Sequence, residues 1–536
     1  MTDQLSSFAE EIYRAKRYDF DGTESWDDTA RRQATVVLGA LGYGERSDEV
    51  HAAYDIIRRR LFIPGGRYLY SVGRPLHQTQ NCLLLRAEDT REGWSDTYWK
   101  ANTALMTGAG IGIEYSDLRG RGSYLKRTGG FSSGPNPHVL GVDYLGRAAV
   151  QGGSRRAAIW AGLHWKHPDV FDFIKLKDWS PEMRAIKEKD QDFPLPGEYT
   201  NISVGLDDEF FAALEDGDSW ATDVYWQSID RMLRTGEPGF AINRGESTRE
   251  NLRNACTEIT SADDSDVCNL GSANLSRIRS LEEMLYVTEI GSLFLLAGTV
   301  YSDVPYEKVA DVREKNRRLG LGVMGVHDWL LQRGLDYRPN DRLHLWMHAY
   351  TMSERWAAQF ADRHNLSRPV KTRAIAPTGT IAMIGETTTG CEPVFCAAYA
   401  RRFLAGGEWQ TRYIIDPTVE RLVQDGVDPD KIEDAYSLAA DPARRIEMQA
   451  WLQQYVDHGI SSTINLPAPV KEPEAQREFG LTLLKDLPKL RGVTVYPDGA
   501  RSGQPLQPVP YATARAMQDV VVTESEERCV SGACGI

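Results

Sequence analysis

Asn254, Cys256 and Glu258 stand at alternate positions of this 536-residue chain, so on an extended segment their side chains point to one side. A thiol flanked by an amide and a carboxylate can act on a polar substrate: the thiol as nucleophile or radical carrier, the carboxylate as base, the amide as orienting group. The plainer reading is a loop with a buried cysteine, among the residue types most often found inside. Twelve positions on lies Asp266-Val-Cys268-Asn-Leu-Gly-Ser-Ala-Asn-Leu, and far upstream Gln80-Asn-Cys82-Leu-Leu-Leu places another thiol at the start of a strand-like run. Ala376-Pro377-Thr378-Gly379-Thr380-Ile381 reads as a tight turn entering a helix. Free backbone N–H groups and the positive helix end there favour a phosphate, although an ordinary capped helix has the same pattern. Cys529 and Cys534 form a C-x4-C pair two residues from the C-terminus on a polar stretch, suited to thiol–disulfide exchange with a partner.

Seven cysteines in a chain of this length are too few for a disulfide scaffold. Cys391 and Cys396 flank Glu392-Pro-Val-Phe with no histidine or further cysteine to complete a zinc set, so they read as structural and no protein-bound metal is expected. A net charge of −14 argues against a general nucleic-acid or membrane surface and leaves individual nucleotides open as ligands. The N-terminus has no apolar signal region and no run of eighteen apolar residues occurs, so a cytoplasmic protein is expected. Gly108-x-Gly110-x-Gly112 imitates part of a dinucleotide fingerprint but lacks the third glycine at the proper spacing, and the residues after it are strand-like.

These groups need a scaffold. Residues 1–61 carry apolar positions at helical spacing and read as a helical leader. From Phe62 short apolar runs bounded by glycines alternate with longer amphipathic stretches, the pattern of an α/β architecture with parallel strands, and residues 62–507 read as one catalytic domain. Residues 508–536 are polar and acidic and are expected to form a flexible tail.

The N-x-C-x-E tip at 254–258, the C-N-L-G-S-x-N-L run from Cys268 and the upstream N-C-x-L strand resemble, in this order and spacing, the three active-site cysteines of ribonucleotide reductase catalytic subunits. The resemblance extends over most of residues 62–503. Thr107-Gly-Ala-Gly-Ile-Gly-Ile and Thr128-Gly-Gly-Phe-Ser-Ser-Gly-Pro resemble the run toward the family's first effector loop, and Gly152-Gly153-Ser154-Arg155-Arg156 its second. Glu237-Pro-Gly-Phe, Asn316-Arg-Arg-Leu-Gly-Leu-Gly and Gly492-Val-Thr-Val-Tyr-Pro-Asp-Gly are further landmarks.

The resemblance implies a ten-stranded α/β barrel, two parallel five-stranded half-sheets lying antiparallel, with Cys256 on a finger loop inside. It implies a thiyl radical on Cys256 that takes the 3′ hydrogen of a ribonucleotide, Glu258 as general base, and Asn254 as the residue that orients the substrate. Cys82 and Cys268 would supply reducing equivalents and end as a disulfide; 185 residues lie between them, so only the fold can bring them together. Cys529 and Cys534 would then shuttle electrons from thioredoxin or glutaredoxin, and residues 377–381 would hold the substrate phosphates with their Mg2+. A dNTP effector is implied at Asp89 and at Gly152 to Arg156. Only 62 residues lie between Asp89 and Gly152, too few for the insertion that lets monomeric members build this site alone, so a homodimer is expected.

Val495-Tyr496-Pro497 offers a single tyrosine where the family's two-subunit form carries two, and its context is similar to the adenosylcobalamin-dependent members. Adenosylcobalamin is therefore the implied radical source. The alternative is a class I catalytic subunit fed by a metal-bearing small subunit, with Tyr496 in the relay. Two departures stand out: the tip reads N-A-C-T-E where N-P-C-G-E is common in the cobalamin group, and residues before Phe62 are short for an ATP cone. Readings of another class are a dNTP-binding regulatory protein that has lost turnover, and a thiol oxidoreductase working through Cys529 and Cys534 alone.

Overall fold

Short runs of wholly buried residues make the central strands of the protein, seen in a computed structural model that describes residues 4–149, 157–190, 193–405, 408–498, 506–518 and 520–523. In chain order the first strands are Phe62–Pro64 (β1), Cys82–Arg86 (β2), Gly110–Glu114 (β3), Ile159–His164 (β4), Thr200–Asp207 (β5) and Gly239–Asn243 (β6). Near-continuous apolar stretches such as Cys-Leu-Leu-Leu and Phe-Ala-Ile are what parallel strands covered on both faces require. Strands β2 to β6 pair in parallel in sequential order. A two-stranded ribbon follows, Leu252–Arg253 (β7) against Thr260–Ser261 (β8).

Asp266–Asn274 (β9) and Leu319–Met324 (β10) open the second half and pair in parallel. A hairpin, Ala398–Ala405 (β11) and Glu408–Ile415 (β12), is inserted before Thr463–Leu466 (β13) and Gly492–Pro497 (β14). Parallel bridges from Leu321 to Arg373 and from Ile375 to Ile460 carry the second half across to β13, which pairs in parallel with β14. The two halves meet antiparallel at both seams, β2 against β9 and β6 against β14, and this closes a ring of two five-stranded half-sheets. Strand β1 continues the β2 edge of β9.

Large apolar clusters lie between each half-sheet and its outer helices. The apolar helix Leu281–Tyr301 has the length and composition to cross a membrane, but it is a core helix, buried against β9 and β10. A third, small cluster fills the inside of the ring: Cys82, Leu84, Leu252, Ile259, Cys268 and Ala374. The ribbon therefore stands within the barrel, its apolar flanks set against the two cysteines.

The leader forms helices Ser7–Ala15, Trp26–Gly39 and Asp48–Arg58, each opened by a serine cap. The stretch from Pro508, expected as a flexible tail, is ordered as far as Thr523, apart from Asp519, which lies outside the described residues. Leu506–Pro508 (β15) pairs with β11 and Val521–Thr523 (β16) with β12, giving a four-stranded sheet in the order β15-β11-β12-β16. The β-branched run at 521–523 and two open hairpin edges outweigh the local polarity.

Candidate active site

The finger tip, residues 254–259, is a tight turn rather than the extended segment the alternation suggested. Thr257 donates its N–H to the Asn254 carbonyl at 3.0 Å and adopts φ +68°. Left-handed backbone reverses the chain within a few residues, and so brings Asn254, Cys256 and Glu258 to the wall of one cavity of about 860 Å3. The tip is braced from several sides. Ile259 N–H donates to the Asn254 side-chain oxygen at 3.0 Å, and Gly459 N–H to the Glu258 carbonyl at 2.7 Å. A β-carbon on Gly112 would stand 1.9 Å from the Arg253 carbonyl oxygen, and one on Gly110 would stand 3.2 Å from the Ala255 side chain. Gly110 and Gly112 of the apparent dinucleotide motif are thus strand positions over which the finger passes, while Gly108 lies in the preceding turn at φ +89°.

The finger base is held by charge. Asp266 accepts from Ser261 at 2.6 Å, Asn316 at 2.8 Å and Arg318 at 2.5 Å. Glu250 pairs with Lys371, and with Arg318 at 3.3 Å and Arg491 at 3.4 Å. Burial pulls the Lys371 ammonium down to about 8.

Cys82 and Cys268 are direct partners in the antiparallel seam of β2 and β9. Opposed residues in such a pair have Cα atoms about 4.5–5.5 Å apart, inside the ~4.4–6.8 Å that a disulfide spans. Both are present as buried thiols. Burial pushes both well up from the ordinary thiol value, and the Glu258 carboxyl adds to this, so they hold their protons at neutral pH. Asn254 donates its amide to the Cys82 sulfur at 3.3 Å. Glu258 is itself buried with one carboxyl oxygen lacking a hydrogen-bond partner, and desolvation raises it from 4.5 to about 7. Such a carboxyl exchanges protons near neutrality, as a general base requires.

Residues 376–381 line the same cavity. Thr378, at φ +52°, precedes helix Gly379–Gly385, and its hydroxyl accepts from Gly390 N–H at 2.8 Å. The cavity further takes in Lys16, Arg17, Arg67 and Arg74. Sequence reading placed none of these four here: Lys16 and Arg17 lie in the leader, and neither they nor Arg67 and Arg74 stand in a motif that signals where the fold carries them.

The other expected residues lie elsewhere. Asp89 pairs with Arg119 at 2.7 Å, away from the cavity wall. Tyr496 lines a separate small cleft with Tyr436 and Asp498. Gly152, Gly153, Ser154, Arg155, Arg156, Cys529 and Cys534 lie outside the described residues. Cys391 and Cys396 are buried thiols, and burial pushes Cys391 up to about 12.

The family model for the ribonucleotide reductase barrel domain matches residues 80–224, 221–353 and 367–479. Among curated proteins, a vitamin B12-dependent ribonucleoside-diphosphate reductase of Mycobacterium tuberculosis is 28% identical over 89% of this chain and 74% of its own. A protein of the same name from Thermoplasma acidophilum is 28% identical over 87% of this chain and 66% of its own. Among solved structures, the alpha subunit of the Actinobacillus ureae class Id ribonucleotide reductase superposes with a TM-score of 0.73 at 16% identity, covering 92% of this chain and 98% of that one. With the family matched over most of its length and the barrel closed around a cysteine-tipped finger, this chain belongs to the ribonucleotide reductases.

Proposed function

We propose that this enzyme reduces ribonucleoside diphosphates with adenosylcobalamin as its radical source, and that Cys82, Cys256, Cys268, Asn254 and Glu258 carry the reaction. The observation that supports it most is that Cys82, Cys256 and a carboxyl poised near neutrality line one cavity, with Cys268 in register beside Cys82. Diphosphate use and cobalamin dependence draw on the names of the relatives.

A cavity of about 860 Å3 lies at the upper end of ligand sites, ~300–1,000 Å3. Leu76 and Met106, 53% and 70% exposed, stand on its rim with Pro75. This apolar shelf in the cavity that Cys256 lines suits a flat macrocycle, and these residues would hold it. When bound, adenosylcobalamin supplies the one-electron oxidising equivalent that makes the Cys256 thiyl radical.

Cys256 then takes the 3′ hydrogen of the substrate. Glu258 accepts the 3′-hydroxyl proton, and Asn254 orients the sugar while holding Cys82 through its amide. The 2′-hydroxyl leaves as water with a proton from the Cys82/Cys268 pair, which gives up two electrons and two protons in all and becomes a disulfide. Cys256 returns its hydrogen to C3′, and Glu258 returns the proton to the 3′ oxygen. The thiols are suited to proton donation because burial keeps them protonated. Residues 377–381 would hold the substrate phosphates with Mg2+, through N–H groups at the start of helix Gly379–Gly385. Cys529 and Cys534 would reduce the new disulfide and be reduced in turn by thioredoxin or glutaredoxin. Asp89 and the stretch Gly152 to Arg156 would bind a dNTP effector in a homodimer, and the enzyme would work in the cytoplasm.

The test is deoxynucleotide formation by purified protein with each ribonucleoside diphosphate, a dNTP, dithiothreitol and Mg2+, with and without adenosylcobalamin. Product that depends on the cofactor is expected. Product formed only after adding a metal-bearing subunit would replace this reading with the class I one, in which Tyr496 gains a role.

A further inference from the structure

The chain is acidic overall, at −14, yet the wall of its large cavity holds four cations, Lys16, Arg17, Arg67 and Arg74, against one carboxyl, Glu258. That carboxyl is itself half-neutral near pH 7. Two of the cations are occupied structurally. Arg67 donates to the Thr107 carbonyl at 2.9 Å, and Arg74 to the carbonyls of Tyr70, Arg17 and Phe20 at 2.6–3.0 Å. Lys16 and Arg17 differ: among the described residues neither side chain makes a salt bridge, and both stand at the cavity wall, Lys16 half-buried and Arg17 exposed.

Their backbone is set with some strain. Arg17 and Phe20 are non-glycine residues at φ +55° and +54°. Arg74 clamps both carbonyls and lies over the Phe20 ring at 5.0 Å, while Tyr18 N–H donates to the Tyr13 carbonyl. A left-handed arginine and phenylalanine held this way cost stability, and such strain persists where surrounding contacts fix it, commonly at ligand sites. The helix that delivers the turn, Ser7–Ala15, packs against helix Gly379–Gly385, and Ser6 N–H donates to Glu386 at 3.1 Å. Lys16 and Arg17, at the end of that helix, thus share the cavity wall with residues 376–381.

We infer that Lys16 and Arg17 form the receptor for the terminal phosphate of the ribonucleotide, so that the leader segment, rather than the barrel, distinguishes a nucleoside diphosphate from a monophosphate. The inference rests on the reductase reading of the same cavity. A lysine and an arginine suit a phosphate dianion, one as a mobile point charge and the other as a planar fork. On this inference the loop at 377–381 keeps the inner phosphate and shares the terminal one with Lys16 and Arg17.

The test uses the full chain without cobalamin, so that the phosphate of the cofactor cannot contribute. Alkylation of Cys256 by iodoacetamide is followed by peptide mass spectrometry, and the concentrations of CDP, CMP and CTP that halve its rate are measured. Wild type is expected to be protected by CDP at about tenfold lower concentration than by CMP. In Lys16→Gln and Arg17→Gly that ratio falls below about threefold while the CMP constant stays unchanged. Glycine removes the strain at φ +55°, so Arg17→Gly folds at least as well as wild type, and Lys16→Gln changes a partly exposed side chain. A CDP-to-CMP ratio unchanged in both variants, or an equal weakening of CDP and CMP, overturns the inference and leaves the reductase reading intact. Absence of protection by any ribonucleotide in wild type overturns both.

Discussion

Replacing Glu258 by glutamine tests whether a buried carboxyl titrating near neutrality is built into the finger. The side chain is buried and desolvation is the largest cause of its rise from 4.5 to about 7. A folded-state value above the unfolded one means that the folded protein holds the proton more tightly. The stability this lends is present in full below pH 4.5 and is lost as pH rises through 7. A rise of that size corresponds to about 3 kcal/mol. Glutamine has the same shape and no charge, so Glu258→Gln escapes the loss. With unfolding entropy of roughly 2 cal/mol/K per residue, a chain of this length converts it to about 3 °C in Tm. Wild type and variant are melted at about pH 5 and about pH 8, either side of the folded-state value, and the Tm difference, variant minus wild type, is expected to be larger at the higher pH by that amount. Turnover falls by at least about a hundredfold, the usual loss for a general base. The same Tm difference at both pH values would refute the claim that Glu258 titrates near 7, and full activity in the variant would remove it from the chemistry.

Three further outcomes follow from the geometry. Gly112→Ala sets a methyl group against the Arg253 carbonyl and displaces the finger; kcat is expected to fall about a hundredfold, since a shift near 1 Å in a reacting group has that effect, with the far-ultraviolet circular dichroism unchanged. Thr257→Gly relieves the left-handed tip and should raise stability by about 1 kcal/mol in urea titration with turnover retained; a loss of stability would show that the Thr257 side chain carries a contact worth more than the strain. After turnover without external reductant in a Cys529→Ser/Cys534→Ser variant, mass spectrometry should find one disulfide-linked peptide pair, Cys82 with Cys268, at about one deoxynucleotide per chain.

The chemistry was legible because it sits in short patterns whose spacing survives folding. Cys82 opens a strand, Cys268 lies early in another, and the finger motif lies just before it in the chain; their order carried the family resemblance, and the barrel was implied by that resemblance, while the register of the seam was not legible. The shape of the tip was not legible. Alternation at 254, 256 and 258 suggested a strand, and the turn depends on Thr257 accepting φ +68° in space that Gly459 and Gly492 leave open. Lys16 and Arg17 left no trace, because their position is set by helix packing across hundreds of residues. The strands at 506–508 and 521–523 were not foreseen for a related reason: they form only against the hairpin edges at 398–415. The effector stretch at 152–156 rests on resemblance alone.

Cys82 and Cys268 lie on different half-sheets, at one of the two seams that close the ring. Joining them would staple the barrel shut across a loop of 185 residues. Cross-linking a loop of that length restricts the unfolded chain by about 5 kcal/mol in the chain-entropy view, which for a two-electron couple is about 100 mV of reducing power. The enzyme would therefore be a clasp that tightens each time it works. The reductant that reopens it acts against the fold as well as against a sulfur–sulfur bond, and enzyme starved of reductant would be the more heat-resistant form.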